Sequence, residues 1–328
     1  MDQDLFREIL SVDSSSGRER ALSELLAERL DAPSLERFEV GDGTENLLFS
    51  WGTPEVVFCT HMDTVRPYIP PKFKEDRVCG RGTCDAKGQI IAMYSACKQL
   101  ESEGRSGFGL LLLSGEETGS FGARAFARTS FRAPYLIVGE PTECRMVSRS
   151  KGTKAFAVSF RGEAFHSGYP EFGVSAVELF VDFANALREF VSDKEGLTYN
   201  IGLLRSDNPQ NILSPDLSCR VYFRTTVETD EAVMRWMMKP RERVEVATYG
   251  GDSPAEYLTL EGFESAPVAF GSDAPHLTNF THKAICGPGS IRFAHRSDEH
   301  ILLADLDRAV DLYVAMFHAL TAAVAHEP

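Results

Sequence analysis

Four short apolar runs, at 46–51, 56–60, 109–114 and 135–138, constrain the fold of this chain more than any other feature. Stretches with helical periodicity, at about 86–103 and 121–129, lie among them. Apolar runs of strand length that alternate with helices predict an α/β sheet covered on both faces. Residues 2–30 read as helical with a break at 14–17, after which Leu22, Leu25, Leu26 and Leu30 recur at helical spacing.

Near Lys151 the pattern changes. A strand at 155–160 precedes a helix at 175–191, whose Val177, Phe180, Val181, Ala184, Leu187 and Val191 form one stripe. Strands at 198–204 and 217–225, a short helix at 230–238 and a strand at 244–248 complete β-α-β-β-α-β, the ferredoxin-like succession. After about residue 250 the first pattern resumes. It gives strands at 268–270 and 284–286, then a long helix that buries Leu306, Val310, Tyr313, Phe317 and Leu320. The chain therefore reads as one discontinuous α/β domain, residues 1–151 and 250–328, interrupted by a smaller α+β domain, residues 152–249.

Chemistry-bearing residues cluster where the first domain's strands end. FCTHMDTV places His61 and Asp63 just past a strand, and GRGTCDAKG places Asp85 between a glycine-rich turn and a helix. LLLSGEETGS brings Glu116 and Glu117, and LIVGEPTE brings Glu140. Open α/β sheets bind their ligands at the carboxyl ends of strands. One histidine and five carboxylates aimed at a common crevice repel one another unless positive charge sits among them, and a divalent metal supplies it. Taken singly, each has a plain structural explanation. His61 and Asp63 can simply hydrogen-bond, Asp85 can cap a helix, the glutamate pair can be a solvated loop, and Glu140 can be a turn residue before Pro141. Four such motifs at equivalent strand ends, in one order, point instead to a metal centre.

HMDTV, GRGTCDAKG, SGEETGS and GEPTE, in this order and spacing, resemble the di-zinc amidohydrolase family. That family includes acetylornithine deacetylase, succinyl-diaminopimelate desuccinylase, aminoacylase and related carboxypeptidases and dipeptidases, and the resemblance spans nearly the whole chain. It implies a zinc-peptidase-like mixed sheet with flanking helices, plus an inserted ferredoxin-like lid through which members form homodimers. It also implies two divalent metal ions, zinc first, with cobalt or manganese accepted by the same ligands. His61, Asp85 and Glu140 would hold the first ion. Asp85, Glu117 and a late histidine would hold the second, with Asp85 bridging. His295 fits that last position better than His300, because it follows a small-residue turn and precedes an acidic residue and the final helix.

The resemblance further makes Asp63 the carboxylate that orients the His61 ring, and Glu116 the general base. From the lid, His166 in RGEAFHSGYP would bind the substrate carbonyl oxygen. Asn211 and Arg224 would bind substrate, Arg224 as a bidentate clamp for an α-carboxylate. Gly271, Ser272 and Asp273 would present backbone N–H groups at a helix N-terminus, where a carboxylate is favoured. Thr60 stands where many members carry glycine. Cys84 precedes the bridging position but has no histidine partner placed by a motif, so it reads as a packed small residue. His276, His282, His318 and His326 match no motif of the family.

The activity implied is hydrolysis of the amide bond of an N-acyl amino acid, acetyl or succinyl. THMDTV, CDAKG, HSGYP and GSDAPHL look most like acetylornithine-deacetylase-type members, which implies amino-acid metabolism and arginine biosynthesis. A dipeptidase or carboxypeptidase with the same di-zinc chemistry is the alternative. A binding protein that had lost the chemistry would lack a ligand or Glu116, and every one is present. A dehydrogenase is disfavoured because no G-x-G-x-x-G follows the first strand. The net charge of −14 argues against nucleic-acid and anionic-membrane partners, and the resemblance implies a small acyl amino acid or dipeptide as the partner. Seven scattered cysteines without a C-x-x-C suit reduced thiols. The acidic, amphipathic start lacks a signal-peptide layout, and no apolar run approaches transmembrane length, so a cytoplasmic location is expected.

Overall fold

The computed structural model describes residues 1–41 and 43–324, and it begins with a capped helix. Asp2 Oδ1 accepts the N–H groups of Asp4 and Leu5, both at 3.0 Å, satisfying donors that a helix start leaves unpaired. Behind that cap, α1 (Gln3–Ser11) buries Leu5, Phe6, Ile9 and Leu10 on one stripe, and α2 (Arg20–Arg29) buries Leu22 and Leu26. Strands β1 (Ser34–Gly41), β2 (Thr44–Trp51) and β3 (Val56–His61) follow. Next come the short β4 (Lys72–Phe73) and β5 (Arg77–Cys79), then α3 (Lys87–Ser102), β6 (Phe108–Leu113), α4 (Phe121–Phe126) and β7 (Ala133–Val138).

The chain then runs through β8 (Met146–Ser150), β9 (Gly152–Arg161), α5 (Ala176–Ser192), β10 (Thr198–Arg205) and β11 (Asp216–Thr225). It continues with α6 (Asp230–Met238), β12 (Val244–Gly250), β13 (Ala255–Glu256) and β14 (Ser265–Val268). It ends on β15 (Phe280–Ile285), β16 (His300–Leu302) and α7 (Leu303–Val324). His326 lies outside the described residues. Among those residues no helix is long and apolar enough to cross a membrane.

Two compact units result. The first comprises Met1–Ser148, Tyr257–Pro267 and the chain from Ser272; the second comprises Arg149–Glu256 and Val268–Gly271. In the first, a mixed sheet runs in the order β1-β2-β6-β3-β7-β15. β3 lies parallel to both β6 and β7, and β15 lies parallel to β7. Strands β3 and β6 are buried along their whole length, which is why their sequences are continuous apolar runs rather than alternating ones. Helices α3 and α7 share one core with the sheet, through Ile90, Met93, Leu306, Tyr313 and Phe317. The Tyr313 hydroxyl, fully buried, donates to the Cys286 carbonyl at 2.9 Å. Because β3 sits between β6 and β7, the carboxyl ends of all three strands open onto one place.

In the second unit, an antiparallel sheet runs in the order β10-β11-β9-β12. Alternate residues of β9 (Phe156, Val158, Phe160) and β11 (Leu217, Cys219, Val221, Phe223) enter a core completed by Phe183 and Leu187 of α5 and Val233 and Met237 of α6. Ser175 starts α5 by accepting the Glu178 N–H at 3.4 Å.

Three expectations shift. The strand expected at 268–270 is β14, three residues earlier. The helix expected over 121–129 closes at Phe126. No α-helix begins at Gly271–Asp273: these residues lead into a single 3-10 turn, Ala274–His276, because β15 starts only four residues later and leaves no room for a longer helix.

Candidate metal centre

His61 is the last residue of β3, and its ring is fixed at both nitrogens. Nδ1 stands 2.9 Å from the Asp63 carbonyl and 3.3 Å from Asp63 Oδ1, while Nε2 stands 3.0 Å from Asp85 Oδ1. The other Asp85 oxygen, Oδ2, lies 3.2 Å from His295 Nε2, and that same nitrogen is 2.8 Å from Glu117 Oε1. Asp85 thus meets one imidazole on each oxygen. One ligand atom each from His61, Asp85 and Glu117 lie within 4.8 Å of one another.

Glu116 and Glu117 stand in a turn after β6, and Asp63 builds that turn. Asp63 Oδ1 accepts the Glu116 N–H at 3.0 Å, and Oδ2 accepts the Glu117 N–H at 3.1 Å and the Ser16 hydroxyl at 2.8 Å. With both N–H groups held by one carboxylate, the backbone from which the two glutamates project is fixed. Glu140 follows β7, and the Thr60 hydroxyl donates to the Gly139 carbonyl at 3.1 Å, so the residue that replaces glycine here ties β3 to that turn.

Electrostatics in this cluster are severe. Burial, reinforced by neighbouring carboxylates and opposed by His61, holds Glu116 and Glu140 well above the usual carboxylate range. Burial also lifts Asp273 to about 6. For His61 burial works against the charged ring, but hydrogen bonds to Asp63 and Asp85 outweigh it and raise its pKa well above the ordinary value. Hydrogen bonds to Asp85 and Glu117 push His295 up to about 10. The two histidines in turn hold Asp85 well below its usual range, against burial.

The raised carboxylates and raised histidines mark a cluster where negative charge is crowded and positive charge scarce. Glu140 Oε1 and Asp273 Oδ1 are buried and find no hydrogen-bond partner. A set of imidazole nitrogens and carboxylate oxygens, short of positive charge and with buried oxygens left unpaired, fits divalent metal of the zinc type.

Two residues that sequence reasoning missed hold this geometry: Arg81, in the glycine-rich turn, and Glu299, beyond His295. Both are buried and paired, and Glu299 also accepts the backbone N–H of Asp85. Arg81 belongs to the quoted GRG segment, but nothing local marks its partner. His300 instead sits over the Phe293 ring, 4.1 Å between centroids, with Nδ1 2.9 Å from the Asp298 carbonyl. Cys84 is buried, with its thiol pushed well up by burial, and all seven cysteines are free.

In the second unit, His166 and Asn211 come together. Segment 163–167 runs beside 211–214, with the Ser167 N–H donating to the Asn211 carbonyl at 3.0 Å and the Leu213 N–H to the Phe165 carbonyl at 2.9 Å. The His166 ring is exposed, and its Nδ1 accepts the Gly168 N–H at 3.0 Å. This corner lies at the Asp216 end of β11. Arg224 lies eight residues further along that strand, which at ~3.4 Å per residue is roughly 27 Å away. Its guanidinium rests 5.4 Å from the Tyr222 ring, and it does not join the corner within this unit.

A mixed α/β fold with a histidine–carboxylate cluster at the ends of adjacent parallel strands defines the class. The chain belongs to peptidase family M20/M25/M40, whose pattern it matches over residues 57–319, and so to the peptidases and related hydrolases. It is 32% identical over 369 aligned residues to an Aspergillus oryzae protein described as a "Probable carboxypeptidase", covering 95% of this chain and 86% of that one. The fold superposes on a tripeptidase from Staphylococcus aureus with a TM-score of 0.79, at 19% identity and 95% coverage of both chains. It also superposes on an M20 family metallo-carboxypeptidase from Sulfolobus solfataricus with a TM-score of 0.68, at 15% identity, covering 96% of this chain and 98% of that one.

Proposed function

We propose that this protein hydrolyses the amide bond that joins an acyl or peptidyl group to a terminal amino acid, using two divalent metal ions. The observation that carries the reading is Asp85, whose two oxygens meet His61 and His295 on opposite sides while Glu117 closes on the same histidine. His61, Asp85 and Glu140 would hold one ion, and Asp85, Glu117 and His295 the other. When bound, such ions polarise the scissile carbonyl and lower the pKa of water from about 15.7 toward about 7. Asp63 keeps the His61 Nδ1–H engaged, which leaves Nε2 as the free ligand nitrogen. Glu116, held at its N–H by Asp63 and raised in pKa by burial, takes the proton of the attacking water and delivers it to the leaving nitrogen.

The inserted domain, residues 152–249, would act as the lid. His166, with Asn211 beside it, would donate to the oxyanion of the tetrahedral intermediate. Arg224, roughly 27 Å from that corner along β11, would meet the α-carboxylate of a substrate whose carbonyl is reached by the His166 corner of a second copy of the chain, and Gly271, Ser272 and Asp273 would line the substrate side of the site. Homodimerisation through the lid belongs to this reading as well.

Two substrate classes share this chemistry. N-acyl amino acids, acetyl or succinyl, follow from the acetylornithine-deacetylase-type motifs. Short peptides follow from the relatives named as a carboxypeptidase and a tripeptidase. The experiment is a panel of Nα-acetyl and Nα-succinyl amino acids and simple dipeptides, with and without chelator, reading released amine. Chelator-sensitive turnover of acyl amino acids supports the first class, and turnover of dipeptides alone supports the second. Turnover that persists fully in chelator overturns the metal mechanism.

A further inference from the structure

Asp85 is gripped from one direction by its side chain and from another by its backbone, and both grips come from the same loop. His295 reaches the carboxylate at 3.2 Å. Four residues on, Glu299 Oε1 accepts the backbone N–H of Cys84 at 3.0 Å and of Asp85 at 3.2 Å. The other oxygen, Oε2, accepts from Arg81 Nη1 at 2.5 Å, and that nitrogen also donates to the Arg296 carbonyl at 3.3 Å. Arg81 Nε is used too, donating to the Pro67 carbonyl at 3.2 Å. Below this, the Gly80 N–H donates to the Glu299 carbonyl at 2.9 Å, where β16 pairs antiparallel with β5.

Glu299 and Arg81 are 1% and 2% exposed. A buried ion pair is a poor source of net stability, because desolvation consumes most of the attraction, so one with this many hydrogen bonds calls for another reason. Here the pair spans the two loops that supply Asp85 and His295, and both carboxylate oxygens and the carbonyl of Glu299 are spent on fixing one loop against the other.

We propose that the Arg81–Glu299 pair is a positioning device that holds the Asp85 turn and the His295 loop at the separation two metal ions require. Neither residue touches metal or substrate. The pair sets the register between ligand loops that are otherwise far apart in sequence, and it keeps the bridging carboxylate from swinging out of the cluster. This inference rests on the metal reading above.

The test is zinc affinity of the full-length protein, measured by competition with a chromophoric chelator, together with the melting temperature of the metal-free form. The variants are Glu299→Gln, Arg81→Met and the two combined. Glu299→Gln keeps an acceptor for the Asp85 N–H but loses the charge that anchors Arg81, so its zinc affinity is expected to fall about 10–100-fold, as changes behind metal ligands do. The double variant removes both buried charges, so its metal-free melting temperature should recover toward wild type while its zinc affinity stays low. Affinity within about twofold of wild type in Glu299→Gln or in the double variant overturns the proposal, and so does affinity that recovers in step with melting temperature, since a merely structural pair behaves that way. If Glu299→Gln does not fold, the double variant decides alone. A wild-type chain that takes up no zinc overturns the metal reading itself, whereas tight wild-type binding matched by the variants overturns only the positioning role.

Discussion

Glu116 and Glu117 are neighbours whose N–H groups are both held by Asp63, yet their side chains meet different partners: Glu117 Oε1 touches His295, and Glu116 does not. Glu116→Gln should therefore keep wild-type zinc content and fold while kcat falls by about 10²–10⁴. Glu117→Gln should lower zinc affinity as well as rate. Metal analysis beside steady-state kinetics separates them, and equal metal content with near-normal rates in both would remove the assigned roles. A pH prediction follows from the histidines. His61 and His295 both have raised pKa values, His295 at about 10, so in the metal-free protein their rings carry protons at neutral pH. The stabilisation that His295 gains from its partners is complete below its ordinary 6.5 and is lost as pH rises through about 10. Metal needs neutral imidazole, so zinc binding at pH 7 should release at least one proton per chain, and affinity should climb with pH. Calorimetry in buffers of different ionisation enthalpy reads this directly, and zinc uptake with no proton release would contradict it. At this scale the candidate ligands were legible in sequence through short motifs, just past an apolar run for His61, Glu117 and Glu140, in a glycine-rich turn for Asp85, and by resemblance alone for His295. Glu299 was not, since its partner Arg81 lies 218 residues away and only the folded chain brings them together.

Between the residues and the whole lie the strand ends and turns that aim them. The turn after β6 depends on Gly115, at φ +71, where a Cβ would fall 1.7 Å from Phe121 Cε1 in α4. Gly115→Ala must move α4 or the turn, and the turn carries Glu116 and Glu117. The expected cost is at least about 1–3 kcal/mol in unfolding free energy, with weaker zinc binding. Urea unfolding with zinc titration checks both, and an unchanged midpoint and affinity would show that the turn does not depend on this residue. Strands β3 and β6 were readable because burial on both faces leaves unbroken apolar sequence, and β7 through its buried end, Leu136–Val138. Strand β1 was not: it pairs with β2 at the sheet edge with mostly exposed and half-buried side chains, so no apolar run announces it. The sheet formed by β16, β5 and β4 is shorter still, two or three residues per strand, too little for any period to emerge.

On the scale of the whole molecule, the two units each bury a core of their own. All five candidate ligands belong to the first unit, so metal should stabilise that unit far more than the second. The two tryptophans allow the units to be read separately. Trp51 is buried in β2 against the Phe108 ring, and Trp236 of α6 stacks on Phe190 in the second unit. Trp236→Phe leaves Trp51 as sole reporter, and Trp51→Phe leaves Trp236. Zinc at about 100 times its Kd contributes about 2.7 kcal/mol to whatever it binds. At roughly 2–4 °C per kcal/mol for domains of 150–250 residues, the Trp51 signal should melt about 5–10 °C higher with zinc than with chelator. The Trp236 signal should move much less, because no ligand reaches its core. Equal shifts in both reporters would mean that the two cores melt as one unit, and no shift in either would mean that the first unit binds no metal.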